Sequence, residues 1–585
     1  MSAIIIASSI LMRSIQTTVL SLKNYNIAER IKKFLKTNYA IYLALFLIVC
    51  LMLNSYIWSG TNYISGDDSL FHVANISAML DAIDLSQGRL FPSVILPTIA
   101  NNLGYGVGIF YPRLPHLVAA FFSLLVGGNA IIGYKITHIV VLFLSGLVCY
   151  HFLMRVLKQR KSAFLGSLFY ITAGYTVTDF LIRDAFSEIF LFLFFPIVLW
   201  GLYELYHGDT KKFYWYFVLG YFGMLNSHLV TSIYLTVACL IYVLVEYKKT
   251  FSWSYFKKLL LASMMIIILY LPEGLLLLEN KMGANYAVFA ENLMSSAGLV
   301  TSCAFHPLAY FIYSFEGTEI QFVIHPLVWI LLFLTIIRYR KEVFARKDSR
   351  FFGAMILIGF FFAFMTTRLM PWKYMPDFLL MIQFPWRLEI IVVLTFSILA
   401  AYSVSKIHSQ KLLILIATLL IVPGILFSLE LVGRNVFTTL RDDEVSEYGM
   451  GWSKEYLPVT LYDQKDTYLY SEQEIRLSND SAFVQNEEND VPDYDFDLVT
   501  DGPVTVEIPR IYYVGYTISL DNEEVPYHES ENGLIEFELS HEGHVEVRYT
   551  GTLAYRISHD IRMIFILSFL FMGGLWLYKK NSSND

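Results

Sequence analysis

Two adjacent carboxylates are the first groups in this chain that can do chemistry. Asp67 and Asp68 stand in Gly66-Asp67-Asp68-Ser69-Leu70-Phe71-His72, just past the apolar run 39–58. Acidic side chains are costly beside a bilayer, so a pair kept at the end of a membrane-length segment points to use. A carboxylate there can take a proton from a hydroxyl, or the two neighbours can hold a divalent cation. Adjacent residues on a helix point about 100° apart, so one can face a site while the other caps a helix over 69–82. His72 lies four residues after Asp68, on the same helical face, where it can orient the carboxylate or touch a substrate.

Cationic and aromatic candidates follow. Arg183 and Asp184 fall at a turn between two apolar runs, with Glu188 four residues beyond Asp184 and sharing its face. An arginine at such a turn can grip a phosphate bidentately, or pair locally with Asp184 or Glu188. Arg387 follows Trp386 and has the same choice, with Glu389 as its local partner. His228 comes after Asn226-Ser227, and Arg113 and His116 flank the short run 114–127. Tyr105, Tyr111, Trp372 and Trp386 lie near the loops and can stack on a ring, although Tyr and Trp at span ends first of all form interfacial belts. His306 and Glu316 are further candidates. There is no Cys-x-x-Cys, His-Glu-x-x-His or Walker loop, so no resident zinc and no ATP-driven work is indicated.

The elements that position these residues are set by the bilayer. The 585 residues are 56% hydrophobic and 16% charged, against about 25% charged in a soluble chain. Apolar runs occur near 39–58, 131–154, 162–178, 188–206, 213–227, 229–246, 257–277, 321–338, 351–367, 387–405, 411–430 and 560–578. They predict an α-helical polytopic membrane protein of about 12 spans with both termini in the cytoplasm. The basic clusters at 155–161, 211–212, 248–258, 338–350, 406–411 and 579–580 then all lie inside, as the charge rule for membrane topology requires. Asp67, Asp68, Arg183, His228 and Arg387 all fall outside. Residues 1–38 are a cytoplasmic segment, with an amphipathic helix expected over 1–22. The loop 59–130 is a large first external loop, broken by Pro92, Pro97, Pro112 and Pro115, in which 114–127 lies at the interface. Residues 278–320 and 368–386 are two more long external loops.

Residues 441–560 carry 28 acidic and 7 basic residues, a formal charge of −21, while the rest of the chain carries +14. An acidic extracytoplasmic domain, 436–556, is therefore joined to a basic membrane body, 39–435, and a final span and tail close the chain over 557–585. Val504–Ile508, Tyr516–Leu520, Leu534–Leu539 and His544–Tyr549 alternate with period two between turn signals, which predicts a C-terminal antiparallel β-sandwich. Cys50, Cys149 and Cys239 sit inside apolar runs and the acidic domain has no cysteine, so no disulfide framework is expected.

Several stretches resemble a bacterial membrane family labelled 6-pyruvoyl-tetrahydropterin-synthase-related, whose members are similar to the GT-C glycosyltransferases. They are Gly66-Asp67-Asp68 with His72, Gly104-Tyr105-Gly106 with Phe110 to Pro115, Arg183 to Glu188, Gln383 to Arg387, and Glu455-Tyr456-Leu457-Pro458. Pro509 to Asp521 resembles the tail domain of the related YfhO-type lipid-sugar transferases. The resemblance implies a helical bundle with interfacial helices in its first loop and an outward active site using a polyprenyl-phosphate sugar. It implies that Asp67 or Asp68 is the general base, or holds a cation that polarises the phosphate. Arg183, Arg387 and Arg113, with Asp184, Glu188 and His228, would surround the donor phosphate. Many relatives carry one acid where this chain has two. The partners implied are a polyprenyl-phosphate sugar donor and a cell-envelope glycan, teichoic acid or lipid acceptor at a bacterial plasma membrane, with no nucleic acid. A transporter or flippase for lipid-linked sugars and a non-catalytic scaffold are the alternatives. The first would place ionisable residues deep within broken spans, and the second needs far fewer anchors.

Overall fold

The computed structural model describes residues 38–55, 63–64, 66–83, 92–290, 296–312, 324–434, 437–438, 442–451, 453–469 and 474–582. The expected helix over 1–22 and the candidate Glu316 lie outside them. Every apolar run read from the sequence is helical where described, with one difference. The run 162–178 is two helices, Arg160–Ile171 and Gly174–Leu181, because Ala173 takes an extended conformation (φ −60°, ψ 145°). Among the described residues four helices are long and apolar enough to cross a membrane: Ala130–Leu157, Phe186–His207, Trp253–Gly283 and Pro385–Val404. Others, including Tyr39–Leu53, Leu229–Val245, Ser349–Met365 and Gln410–Leu426, are apolar but shorter. The bundle's outer faces expose Ile41, Leu45, Leu240, Leu244, Leu260, Ile267, Leu357 and Leu415. So many bare aliphatic side chains are the surface expected of helices solvated by lipid.

Close approach of helices is bought with small residues. A Cβ on Gly201, in helix Ile189–His207, would lie 2.7 Å from the Phe217 nitrogen of helix Thr210–Leu225. A Cβ on Gly133 would lie 2.6 Å from the Ala119 carbonyl, so helix α2 (Leu114–Leu125) sits hard against helix α3 (Ala130–Leu157). Helix α2 buries His116, Ala119 and Ala120 and exposes Phe121, Leu124 and Leu125. That is the division expected of a helix with one face on the protein and its tip in the interface.

The first loop also carries helix α1 (Ser69–Asp81), which buries His72, Val73, Ile76 and Met79. Asp68 occupies its N-cap position, but its side chain makes no capping hydrogen bond. Local order comes from Ser69 instead: the Gly66 amide donates to Ser69 Oγ (2.9 Å) and that hydroxyl donates to the Gly66 carbonyl (3.1 Å). The carboxyl of Asp68 is thereby left for other work.

Beyond the bundle, two antiparallel sheets share one core. We number their strands β1 (Arg476–Leu477), β2 (Phe483–Asp490), β3 (Asp493–Val499), β4 (Val504–Ile511), β5 (Tyr516–Leu520), β6 (Glu523–Val525), β7 (Tyr527–Glu529), β8 (Leu534–Leu539) and β9 (Gly543–Tyr549). The orders are β1-β4-β8-β7 and β2-β3-β9-β5-β6. Pairing places Phe496 opposite Val545, which is opposite Leu520, and Tyr494 opposite Val547, which is opposite Ile518. All six are buried, and each such side chain contributes about 1.5–3 kcal/mol. The period of two turns Asp493, Asp495 and Asp497 to the opposite face. The expected sandwich is present and gains β2 and β3, which the dense acids of 487–497 had masked, together with the short strands β1, β6 and β7. Its core runs on without a break through Tyr513, Tyr456, Tyr105 and Ile95 into Ala74, Ala78 and Met79 of helix α1. The sandwich and the first loop are thus one packed unit. The end of helix Trp253–Gly283 clamps it: Asn280 Oδ1 accepts from the Val514 amide (3.0 Å), and the Tyr286 hydroxyl donates to the Tyr512 carbonyl (3.1 Å).

Candidate active site

The polar centre is built around Glu188, which is 2% exposed. One carboxylate oxygen accepts from Arg183 Nη1 at 2.6 Å; the other lies 2.7 Å from Arg387 Nε and accepts from Thr231 Oγ1 at 2.9 Å. Arg183 Nη1 also donates to Tyr175 Oη (3.0 Å) and to Asp179, one helical turn earlier on helix Gly174–Leu181. Arg387 Nη1 donates to the Ile382 carbonyl (3.1 Å) and Gln383 Oε1 (2.9 Å), with its guanidinium over the Phe384 ring. Among the described residues the Nη2 group of neither arginine has a hydrogen-bond partner. Two buried guanidinium groups, forked onto one carboxylate with an edge each to spare, form a ready anion cradle.

Asp68 faces this cradle. Its backbone amide donates to the Arg183 carbonyl (3.0 Å) and that of Asp67 to the Ile182 carbonyl (3.1 Å), which ties the head of helix α1 to the Arg183 turn. The tie is possible because residue 66 is glycine: a Cβ there would stand 2.3 Å from Asp184 Cβ. Burial pushes the Asp68 carboxyl up to about 6, against the opposing pull of Arg183 and Arg387. Asp67 beside it is exposed. Of the adjacent acids, Asp68 is the one turned into the site.

The other sequence candidates divide. His72 does not hold the Asp68 carboxylate; its Nδ1 is bonded to His116 Nε2 (2.9 Å), and both rings are 1% exposed. Burial, then the neighbouring His116, keeps His72 well below the ordinary histidine range, so the pair is neutral. His228 caps helix Leu229–Val245, accepting from the Thr231 amide (3.3 Å), with its Nδ1 3.8 Å from Glu188. Tyr111 is half-buried among Phe71, His72 and His228 (centroids 5.6, 6.2 and 6.3 Å) and belongs to the site. Trp386 stacks flat on Phe384, 5.0 Å away, beside Arg387.

Several expectations are corrected. Asp184 does not share a face with Glu188, since a left-handed backbone (φ +53°) turns it to His138 Nε2 at 2.8 Å. Arg387 pairs with Glu188, while Glu389 takes the Tyr310 hydroxyl instead. Arg113 leaves the site: Nη2 donates to the Pro92 carbonyl, and its charged neighbours are Glu273 and Arg562. Tyr105 and Trp372 cannot stack on a sugar. Tyr105 is fully buried, bonding the Met450 carbonyl (3.2 Å) and the Tyr456 amide (3.1 Å). Trp372 is 1% exposed and donates to the Met365 carbonyl (3.1 Å).

Sequence reading missed Asp179, Tyr175, Thr231, His138 and Glu455. The four-residue spacing of Asp179 and Arg183 was a usable signal; for Glu455, almost four hundred residues from Asp68, none existed beyond its motif. Among the described residues no group of three or more His, Cys, Asp or Glu side chains is arranged to hold a metal ion. Two guanidinium groups already supply the positive charge a cation would bring to Asp68, so no step below runs through a metal. Tyr175, whose hydroxyl accepts from Arg183, also lines a cavity of about 160 Å³ with Phe169, Val393, Phe396 and Leu420.

No family model matches the chain. An uncharacterized protein of Lactococcus lactis subsp. cremoris (strain MG1363) is 22% identical over 363 residues, covering 59% of this chain and 56% of that protein. The chain thus spans about half the length of that relative. Among solved structures, the arabinofuranosyltransferase AftD from Mycobacteria gives a TM-score of 0.44 at 13% identity, over 68% of this chain and 26% of that one. ArnT from Cupriavidus metallidurans gives 0.41 in the apo state at 15% identity, over 64% of this chain and 62% of that one. Bound to undecaprenyl phosphate it gives 0.42 at 14%, over 72% and 75%. At these scores the likeness decides nothing about function, and the reading below stands on the site.

Proposed function

We propose that this protein is a membrane glycosyltransferase that moves a sugar from a polyprenyl phosphate to a hydroxyl of a cell-envelope glycan, teichoic acid or lipid. The observation that carries it is the half-buried Asp68 carboxyl set against the Arg183–Glu188–Arg387 cradle. Asp68 takes the acceptor's hydroxyl proton as its oxygen bonds the anomeric carbon. The bond from that carbon to the phosphate oxygen breaks, and the electron pair leaves with the polyprenyl phosphate. Arg183 and Arg387 offer their spare edges to the phosphate as it gains charge. Burial of the centre excludes water, the competing acceptor.

The reading places about twelve spans in a bacterial plasma membrane, both termini in the cytoplasm and the site outside. The polarity of the basic loops and the exposed aliphatic surface support it. Purified protein in lipid discs, offered a panel of undecaprenyl-phosphate sugars together with alkyl glycosides as acceptors, should release undecaprenyl phosphate as the acceptor gains the sugar, and Asp68→Asn and Arg387→Gln should each abolish release. Normal surface glycan, by mass spectrometry, in cells carrying Asp68→Asn at wild-type expression would overturn the base assignment.

A further inference from the structure

The transfer step uses one carboxylate on the acceptor side, yet a second, Glu455, stands within electrostatic reach of Asp68 from the far end of the chain. Glu455 lies in the connector between helix Gln410–Arg434 and the sandwich, and its backbone is pinned on every side. Its carbonyl accepts from the Val288 amide (2.7 Å). The next amide, of Tyr456, donates to Tyr105 Oη (3.1 Å), and the Tyr456 carbonyl accepts from Tyr513 Oη (3.0 Å). The Tyr456 ring stacks on Phe110 at 5.3 Å and 10°, one residue before Tyr111 of the site.

Two left-handed residues aim the connector inward. Gly451 (φ +71°) stands in ordinary contact range of the Phe71 ring, and Lys454 takes φ +47°. A bulky residue held in that conformation is a strain the surrounding bonds must offset. The half-buried Glu455 side chain is then close enough to Asp68 and Arg387 to feel both charges, with Ser453 and Tyr456 as its hydroxyl neighbours. Among the described residues Glu455 forms no ion pair with Arg183 or Arg387, both of which hold Glu188.

Resting on the glycosyl-transfer reading, we propose that Glu455 is the second carboxylate of the acceptor side. It accepts hydrogen bonds from neighbouring hydroxyls of an uncharged acceptor and sets the reacting oxygen against Asp68. Asp67 at the exposed rim and the −21 domain above reinforce the choice of charge: an acceptor carrying an anion beside its reacting hydroxyl is repelled. Burial pushes the Glu455 carboxyl up to about 7, with Asp68 adding to the rise and Arg387 and the Tyr456 hydroxyl opposing it. Acceptor binding therefore strengthens through neutral pH as this carboxyl ionises.

The test uses the full chain in lipid discs, the donor that the wild type turns over, and neutral alkyl glycosides with their phosphorylated counterparts as acceptors. Glu455→Gln should raise the acceptor KM by about 10- to 100-fold, the loss expected for hydrogen bonds to a charged group. It should leave undecaprenyl phosphate affinity within about twofold and narrow the preference for neutral acceptors. Glu455→Asp should recover part of the loss. Infrared titration should show one neutral-range carboxyl fewer in Glu455→Gln, and a downward shift of the remaining one in Asp68→Asn. An unchanged acceptor KM in Glu455→Gln, or loss of undecaprenyl phosphate affinity in step with turnover, overturns this inference alone. A wild type that turns over no donor overturns the transfer reading and this inference with it.

Discussion

Replacing Glu188 by glutamine tests the centre most sharply, because stability and ligand affinity should move in opposite directions. In the native chain this 2% exposed carboxylate holds Arg183 at 2.6 Å, Arg387 at 2.7 Å and Thr231 at 2.9 Å. Glutamine keeps the shape and removes the charge, leaving two buried guanidinium groups underpaired. Breaking a buried pair by removing one partner costs about 3–5 kcal/mol, and Asp179 can recover only the share that belongs to Arg183. A net loss of about 3 kcal/mol is the expectation, read as denaturant-induced unfolding in detergent. Arg387→Gln should lose a similar amount. The double variant should lose less than the sum by about 1–3 kcal/mol, since the second change finds the pair already gone. Undecaprenyl phosphate should bind Glu188→Gln more tightly than wild type, because the positive charge of the arginines is no longer offset by a resident carboxylate. If stability falls by less than 1 kcal/mol, or phosphate affinity falls with it, the cradle as drawn is wrong.

Three other outcomes follow from the geometry. The Asp68 carboxyl is held at about 6, so turnover should fall on acidification through that value, and Asp68→Asn should be flat and near zero. Because this carboxyl is raised in the folded chain, its ionisation opposes folding: stability should decline as pH rises from the ordinary carboxylate range to about 6, and Asp68→Asn should lessen the decline in a melting series, leaving the share that belongs to Glu455. Gly66→Ala places a Cβ 2.3 Å from Asp184 Cβ and 2.9 Å from the Ile182 carbonyl, and should cost about 1–3 kcal/mol and most turnover without touching a reacting group. In cysteine labelling of whole cells, a position within 338–350 should be shielded from an impermeant reagent and one within 480–500 should react; the reverse would turn the site to the cytoplasm.

The sequence disclosed the elements better than the site. Helices followed from the length of apolar runs, and the later strands from strict alternation. The break at Ala173 had a signal in Gly174, but a single glycine inside an apolar run is also tolerated within one helix. Strand β3 alternates as cleanly as its partners, yet three of its four outward residues are aspartates, which reads as a solvated acidic stretch. At the centre, Asp68, Arg183, Glu188 and Arg387 were legible from residue type and position at the outer ends of spans. Which acid pairs with which base was not. The left-handed turn at Asp184 rotates it away from its helical neighbours, and no spacing rule anticipates a backbone outlier. Tyr105 and Trp372 misled for a related reason: an aromatic near a loop can serve a ligand or the core, and only packing decides.

Because the tyrosine seam joins the first loop to the sandwich, this chain cannot finish its outer head until its last strands exist. Tyr105 finds the Met450 carbonyl 345 residues downstream, and most of the bundle is synthesised between the two. Through that interval Ile95, Leu96, Tyr105 and Met79 lack the cover that the later residues of their cluster give them. Contacts of such long range are slow to form and vulnerable while absent. A chain stopped short of the sandwich would therefore hold Asp68 and the arginines yet present them on an unsupported loop, open to quality-control proteases, so that the last strands made act as a certificate that synthesis is complete.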